Sequence, residues 1–269
     1  MDITTFASGS TGNCTLVSSM GTHILIDAGI SMRRIKNALG TMNLTPSDIS
    51  GIFITHEHND HIGGLEMMCK HYELPVFAPP TVANHLRWSK PRTDELICEI
   101  RVGMDYDIGE LSFRAFNTPH DTPQSVGYRV QGDAVLGYCT DLGHVNSEIY
   151  ENLFDADICL LESNHDVDML RYGSYPAFLK RRVLSDNGHL SNSCCAKTAS
   201  RLLTEGKLKS LILAHLSREN NLPDLAYNTV CTELLQKGAV IGRDIDVCVA
   251  PADRVLTASM ARSSTVAHS

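Results

Sequence analysis

Short apolar or alternating runs recur along the chain, each closed by a polar loop: ITTF, CTLVSS, HILIDAG, GIFITH, LSFRAFNT, SVGYRVQ, AVLGYCT, DICLLES, SLILAHL and DVCVAPA. Their length and residue types predict strands. Between them, helical spacing of apolar residues predicts helices over 31–39, 63–72, 81–88, 147–153, 168–184, 191–205 and 222–237. Strands cluster early and helices interleave later, the pattern of a layered sheet core with helices outside. SVGYRVQ and AVLGYCT meet at Gly132-Asp133, an antiparallel hairpin that excludes an all-parallel sheet.

Composition changes this picture little. With 43% hydrophobic and 20% charged residues the chain reads as a soluble globular protein. Its 269 residues allow one large domain or two small ones, and no repeat or Pro/Gly/Ser-rich linker divides them. We therefore expect one domain over 1–258 and a disordered tail over 259–269. The start, MDITTFASGSTGN, lacks a basic segment followed by an apolar run, and no stretch approaches a membrane span, so no membrane partner is expected and a cytoplasmic location is. Nine cysteines without a CxxC pair, several inside apolar runs, are expected to be reduced and structural. A net charge of −8 argues against a surface that coats nucleic acid, while leaving room for a local basic patch.

The twelve histidines are the unusual feature. In GIFITHEHNDHIGGL an apolar strand ends in His56, His58, Asp60 and His61, four potential metal ligands within six residues. Two histidines separated by one residue share a direction in extended chain, so His56 and His58 can grip one ion while Asp60 and His61 turn toward a second. The bland alternative is a histidine-rich polar loop.

THEHNDH resembles the HxHxDH signature of the metallo-β-lactamase superfamily. The resemblance implies an α/β fold, the αββα sandwich of two mixed β-sheets flanked by helices, with a two-metal site at one edge. It also implies that His120 in FNTPHDT completes the first metal site with His56 and His58. Asp141 in GYCTDLG would bridge both ions, and His215 in LILAHLS would complete the second site with Asp60 and His61. Asp27 in HILIDAG would support the site through hydrogen bonds. Two cations roughly 3.5–4 Å apart bring a bridging water to a pKa near ~7, so the expected chemistry is hydrolysis by a metal-bridged hydroxide. Nitrogen and oxygen ligands suit zinc, manganese or iron.

Departures from sister families narrow the substrate. His58 stands where flavodiiron electron carriers have glutamate, and Asp141 where β-lactamases of the fold usually have cysteine. From His120 to Asp141 there is room for one hairpin, without the substrate arm of tRNase Z. From Asp141 to His215 the chain is too short for the extra domain of RNase J. FASGSTGNC, LLESNHD, GHLSN and LAHLSRENN together resemble the YycJ/VicX (WalJ) group, whose members are regarded as DNA exonucleases acting from 5′ ends. This implies a phosphodiesterase or nuclease with a nucleic-acid substrate, DNA before RNA, and leaves a homodimer open. The alternatives are a thioester or lactone hydrolase of the glyoxalase II type, and a metal-bound protein without turnover.

Several residues carry open readings. SGSTGN, with Ser10 and Asn13, can offer backbone N–H groups to an oxyanion or form a tight turn. Glu162 in LLESNHD can orient another side chain or serve as a helix N-terminal carboxylate. Asn220 in SRENN is a candidate for substrate contact. His189 precedes Ser191, a candidate N-cap, at the positive end of a helix; it reads as a proton donor or phosphate holder, against a plain surface histidine. With Asp60 it forms the catalytic candidate set. Lys180, Arg181 and Arg182, and separately Arg87, Trp88, Lys90 and Arg92, can touch a nucleic-acid backbone, with Trp88 stacking on a base, or can form solvated helix faces.

Overall fold

The computed structural model describes residues 1–259, whose strands fall into two sheets in chain order. In the first, β1 (Asp2–Ala7), β2 (Cys14–Ser19) and β3 (Thr22–Ile26) form an antiparallel meander. Then β4 (Gly51–Phe53), β5 (Val76–Ala78) and β6 (Ile97–Glu99) extend it in parallel. Parallel neighbours need crossovers, which here are α1 (Met32–Gly40), the pair α2 (Asn59–Ile62) and α3 (Leu65–Tyr72), and α4 (Pro80–Ser89).

The second sheet repeats this plan. Strands β7 (Asp105–Ile108), β8 (Leu111–Asn117), β9 (Val126–Gln131) and β10 (Val135–Cys139) meander, and β11 (Ile158–Glu162), β12 (Ser210–Ala214) and β13 (Asp246–Val249) follow in parallel. Their crossovers are α5 (Ser147–Leu153), then α6 (Val167–Tyr172), α7 (Ala177–Val183) and α8 (Asn192–Glu205), and last α9 (Pro223–Gln236). Strand β14 (Leu256–Ser259) returns to pair with β1.

Alternation along the strands builds three apolar layers. Ile24 and Ile26 belong to a core between the sheets, with Val17, Phe113, Tyr128 and Ile158. Their neighbours Leu16 and Leu25 face the other way, into the core shared with α1, α3 and α4. In the second sheet Ile158 and Leu160 face the central core, while Cys159 and Leu161 meet α8 and α9. The result is the four-layer αββα sandwich of two mixed sheets. Phe53 anchors β4 within it: its ring stacks on Phe77 at 4.6 Å and meets Phe113 edge-on at 4.3 Å. Tyr128 Oη donates to the Ile54 carbonyl at 2.7 Å, fixing the chain just before the histidine motif.

Three expectations need correction. The helix expected over 63–72 is α3, which starts only at Leu65, and a separate short helix, α2, precedes it across Gly63-Gly64 where the histidine motif was read as loop. A Cβ on Gly64 would lie 1.9 Å from the Ile30 carbonyl oxygen, so backbone there packs directly on backbone. The helix over 168–184 is likewise two, α6 and α7, because Pro176 has no N–H to donate and disfavours helical backbone at Tyr175. Ser259 ends a paired strand instead of starting a tail, and residues 260–269 lie outside the described residues. The short strands β5, β6, β7 and β14 span three or four residues each, too few to display a period.

Candidate metal centre

Most of the site hangs from the carboxyl ends of strands. Asp27 follows β3, His56 lies beyond β4, His120 beyond β8, Asp141 beyond β10 and His215 after β12, while Glu162 is the last residue of β11. Asp27, Asp141 and His215 adopt left-handed backbone, with φ of 61°, 58° and 56°. Such conformations cost non-glycine residues about 1–3 kcal/mol and concentrate at functional sites. Here they turn three strand ends sharply at the cluster.

The ligand atoms of His56, His58 and His120 come within 4.8 Å of one another, as do those of Asp60, His61 and His215. Asp141 joins His56 and His61 in a third such group. Its Oδ2 is 3.4 Å from His61 Nε2, and its Oδ1 is 3.4 Å from His215 Nδ1 and 3.9 Å from His120 Nε2. All seven residues singled out as ligands thus converge. Asp141 Oδ2 and His215 Nε2 are buried without a hydrogen-bond partner among the described residues. A buried polar atom left so costs roughly 1–3 kcal/mol, and shared cations are the chemistry that would satisfy both. The residues fit divalent metal ions.

Electrostatics divides the cluster in two. Burial, with neighbouring histidines, holds His56 well below its ordinary pKa, and burial also lowers His120, so both rings keep a free lone pair at neutral pH. Around the second group burial opposes charge, but carboxylates prevail. Asp27, Asp141 and Asp60 hold His61 up to about 9, and Asp141, Asp60 and Glu162 raise His215. Asp60, despite its burial, is drawn down to about 2 by His215 and His61.

Supporting residues fix each ring. Asp27 is fully buried and accepts from His61 Nδ1 at 2.7 Å, from the Thr55 amide at 2.9 Å and from the Thr55 hydroxyl at 3.0 Å. This aims His61 Nε2 at Asp141 and Asp60. The Gly188 carbonyl lies 3.3 Å from His120 Nδ1, leaving Nε2 for the cluster. Glu162, also fully buried, accepts from His189 Nδ1 and His215 Nδ1, both at 2.8 Å, and from the amides of Leu142 and Leu190. It orients side chains and caps no helix: Asp166 is the N-cap of α6, accepting from the amides of Asp168 and Met169. Ser191 caps α8, accepting from the Cys194 amide, and His189 stands just ahead of it.

A cavity of about 260 Å³ opens on the cluster, lined by His58, Asp60, His120, Asp141, His189 and His215. Ser10 and Asn220 reach its wall, as do Asn164, Ser217, Tyr175 and Leu179, which sequence spacing does not mark. Asn13 does not line the cavity but touches the cluster from behind, bonding Gly9 at 2.8 Å and lying 3.0 Å from His61 Nε2, so the SGSTGN loop is laced onto the histidine motif. Of the two basic groups, Arg182 lines the cavity and pairs with Asp121, a residue beside His120 that the sequence reading missed. No residue of α4 lines the cavity; Arg87 is bonded to Asp94 and Glu99, and Trp88 is 84% exposed.

Comparison with known proteins agrees with this geometry. The sequence model of the beta-lactamase superfamily domain matches residues 22–216. The chain is 36% identical over 245 residues to the exodeoxyribonuclease YycJ of Bacillus anthracis, covering 90% of this chain and 92% of that protein. It is 34% identical over 250 residues to the exodeoxyribonuclease WalJ of Streptococcus pneumoniae serotype 2 strain D39, covering 90% and 91%. Among solved structures, Zn(2+)-bound PqqB from Methylobacterium extorquens superposes with a TM-score of 0.73 at 15% identity, over 97% of this chain and 100% of that one. Unliganded yeast PDE1 gives 0.68 at 16%, over 95% and 99%. At such identities these two structures bear on the fold alone. The sequence relatives reach further: with its HxHxDH motif folded into a cluster suited to divalent ions, this chain belongs to the metallo-β-lactamase superfamily, in the group of YycJ and WalJ, and is a metal-dependent hydrolase.

Proposed function

We propose that the protein hydrolyses phosphodiester bonds in DNA, removing nucleotides from a 5′ end, in the cytoplasm. The observation that carries this reading is the Glu162–His189 pair, 2.8 Å apart, beside the cluster and on the cavity wall. With Nδ1 bonded to Glu162, His189 has Nε2 to offer a substrate and donates a proton there to the leaving oxygen. Thioester hydrolysis needs no such acid, because a thiolate leaves readily. The names of the two relatives as exodeoxyribonucleases support the same substrate, and nine free cysteines suit a reducing compartment.

Two divalent ions, zinc, manganese or iron, would be held by His56, His58 and His120, by Asp60, His61 and His215, and by Asp141, and would supply Lewis acidity and a nucleophile at neutral pH. Asp60, ionised by its histidine neighbours, orients the attacking water through a hydrogen bond. Ser10 and Asn220 offer uncharged donors to the phosphate, and Asn13 holds the first loop in place. Asp27 and Thr55 keep His61 from rotating.

The test is a digest of end-labelled single and double strands with zinc or manganese. Stepwise release from 5′ ends is expected. Intact DNA beside rapid cleavage of a thioester would make the protein a thioester hydrolase.

A further inference from the structure

The segment between β11 and α8 carries charge and aromatic area that the chemistry above does not use. We infer that α6 and α7, residues 167–184, guide a single-stranded nucleic acid into the cavity, with the base beside the scissile phosphate lying on Tyr175. This rests on the nuclease reading and adds where the strand runs.

Tyr175 and Leu179 form part of the cavity wall. Three residues to either side of Tyr175, Tyr172 is 87% exposed and Phe178 is 66% exposed. Two large aromatics left in water within seven residues, on either side of a residue of the cavity wall, mark a binding surface. The segment between β11 and α8 holds Arg171, Lys180, Arg181 and Arg182 against Asp166, Asp168 and Asp186, in a chain of net charge −8. Local charge therefore runs against the global sign by one unit, with the cations gathered on α7 and at the end of α6.

Two of the cations are structural. Lys180 Nζ donates to the carbonyls of Arg171 and Gly173 at 2.8 and 2.7 Å, clamping α7 against the end of α6, and Arg182 pairs with Asp121. Arg171 and Arg181 are exposed and form no side-chain bond among the described residues, which leaves them for phosphates. The break at Pro176 is what makes the surface, since it turns Tyr175 into the cavity while its neighbours stay outside. A base lies flat on an aromatic ring only when its own stacking neighbour is gone, which selects an unpaired strand.

The experiment uses the metal-loaded enzyme and oligothymidylate protected by phosphorothioate links, with 5-iodouracil at successive positions, irradiated and mapped by peptide mass. Adducts are expected on Tyr175 for the position nearest the cluster, and on Tyr172 or Phe178 farther along. Adducts confined to Trp88 or elsewhere outside 167–184 overturn the guide. In parallel, the double variant Tyr172→Ala/Phe178→Ala should raise KM for a single strand of about a dozen nucleotides roughly tenfold or more, relative to KM for bis(p-nitrophenyl) phosphate. Tyr172→Phe in place of Tyr172→Ala should restore part of that. An unchanged ratio overturns the inference, as does conversion of a dimer to a monomer with no change in ratio, which would give the patch to a second copy. Wild-type protein that leaves every DNA intact removes the nuclease reading itself; cleavage with an indifferent variant removes only the guide.

Discussion

His189 and His215 share one carboxylate and differ in what their other nitrogen meets. Glu162 accepts from Nδ1 of each at 2.8 Å, while His215 Nε2 is buried 3.9 Å from Asp60 Oδ2 and His189 lines the open cavity. Substitution should separate them. His189→Ala should lower kcat by about 10²–10⁴-fold and keep the bound metal, whereas His215→Ala should lose metal on dialysis. Metal analysis beside kinetics checks both, and loss of metal from His189→Ala would make that residue a ligand and not an acid. The first four ligand candidates were legible because one short segment holds them. Glu162 was legible only as an alternative between orienting and capping, since its partners lie at positions 189 and 215 and nothing in LLESNHD names them. Asp121 and Tyr175 gave no signal, being ordinary residues until α7 folds across the cavity.

At the scale of elements, strand ends position the chemistry, and close backbone contacts between loops hold those ends in register. A Cβ on Gly143, just past Asp141 and Leu142, would sit 2.2 Å from the Asp186 carbonyl oxygen, on the loop that presents His189. Gly143→Ala must push that loop away. Since a shift of about 1 Å in a catalytic group can cost ~10²-fold, kcat should fall by that order with metal content kept. Gly40→Ala, where a Cβ meets nothing within 4 Å at the end of α1, is the matched control and should leave kcat unchanged. Equal effects of the two would remove the loop contact from the argument. Alternation along the chain showed where such strands end, yet not that Asp27, Asp141 and His215 turn left-handed there, because φ is chosen by the loops they join. The break in the helix over 168–184 was readable at Pro176, but the long apolar spacing around it masked the signal.

At the scale of the molecule, the two seven-stranded sheets bury most of the cysteines, and that burial is testable. Desolvation pushes the Cys69 and Cys159 thiols up to about 12, so they stay protonated and unreactive at pH 8. Alkylation of the native protein should stop at Cys98 and Cys194, the two exposed thiols, and reach the six buried ones and the half-buried Cys248, whose thiol burial pushes up to about 11, only on unfolding; a mass spectrum counts the adducts. The same burial makes the fold sensitive to acid through His165, whose two ring nitrogens are buried with no hydrogen-bond partner among the described residues. Burial drops its pKa from 6.5 to about 4, so the folded ring stays neutral while the unfolded chain takes a proton. Stability from this residue is complete above pH 6.5 and is lost as pH falls from 6.5 to about 4, by up to roughly 3 kcal/mol. Other groups titrate over the same range, so the measurement is a difference: urea midpoints of wild type and His165→Leu at matched metal content. The gap between them should shift in favour of the variant below pH 6.5 and stay level above it. A gap independent of pH would mean that His165 is solvated in the folded protein and that the polar loops behind β11 are open to water.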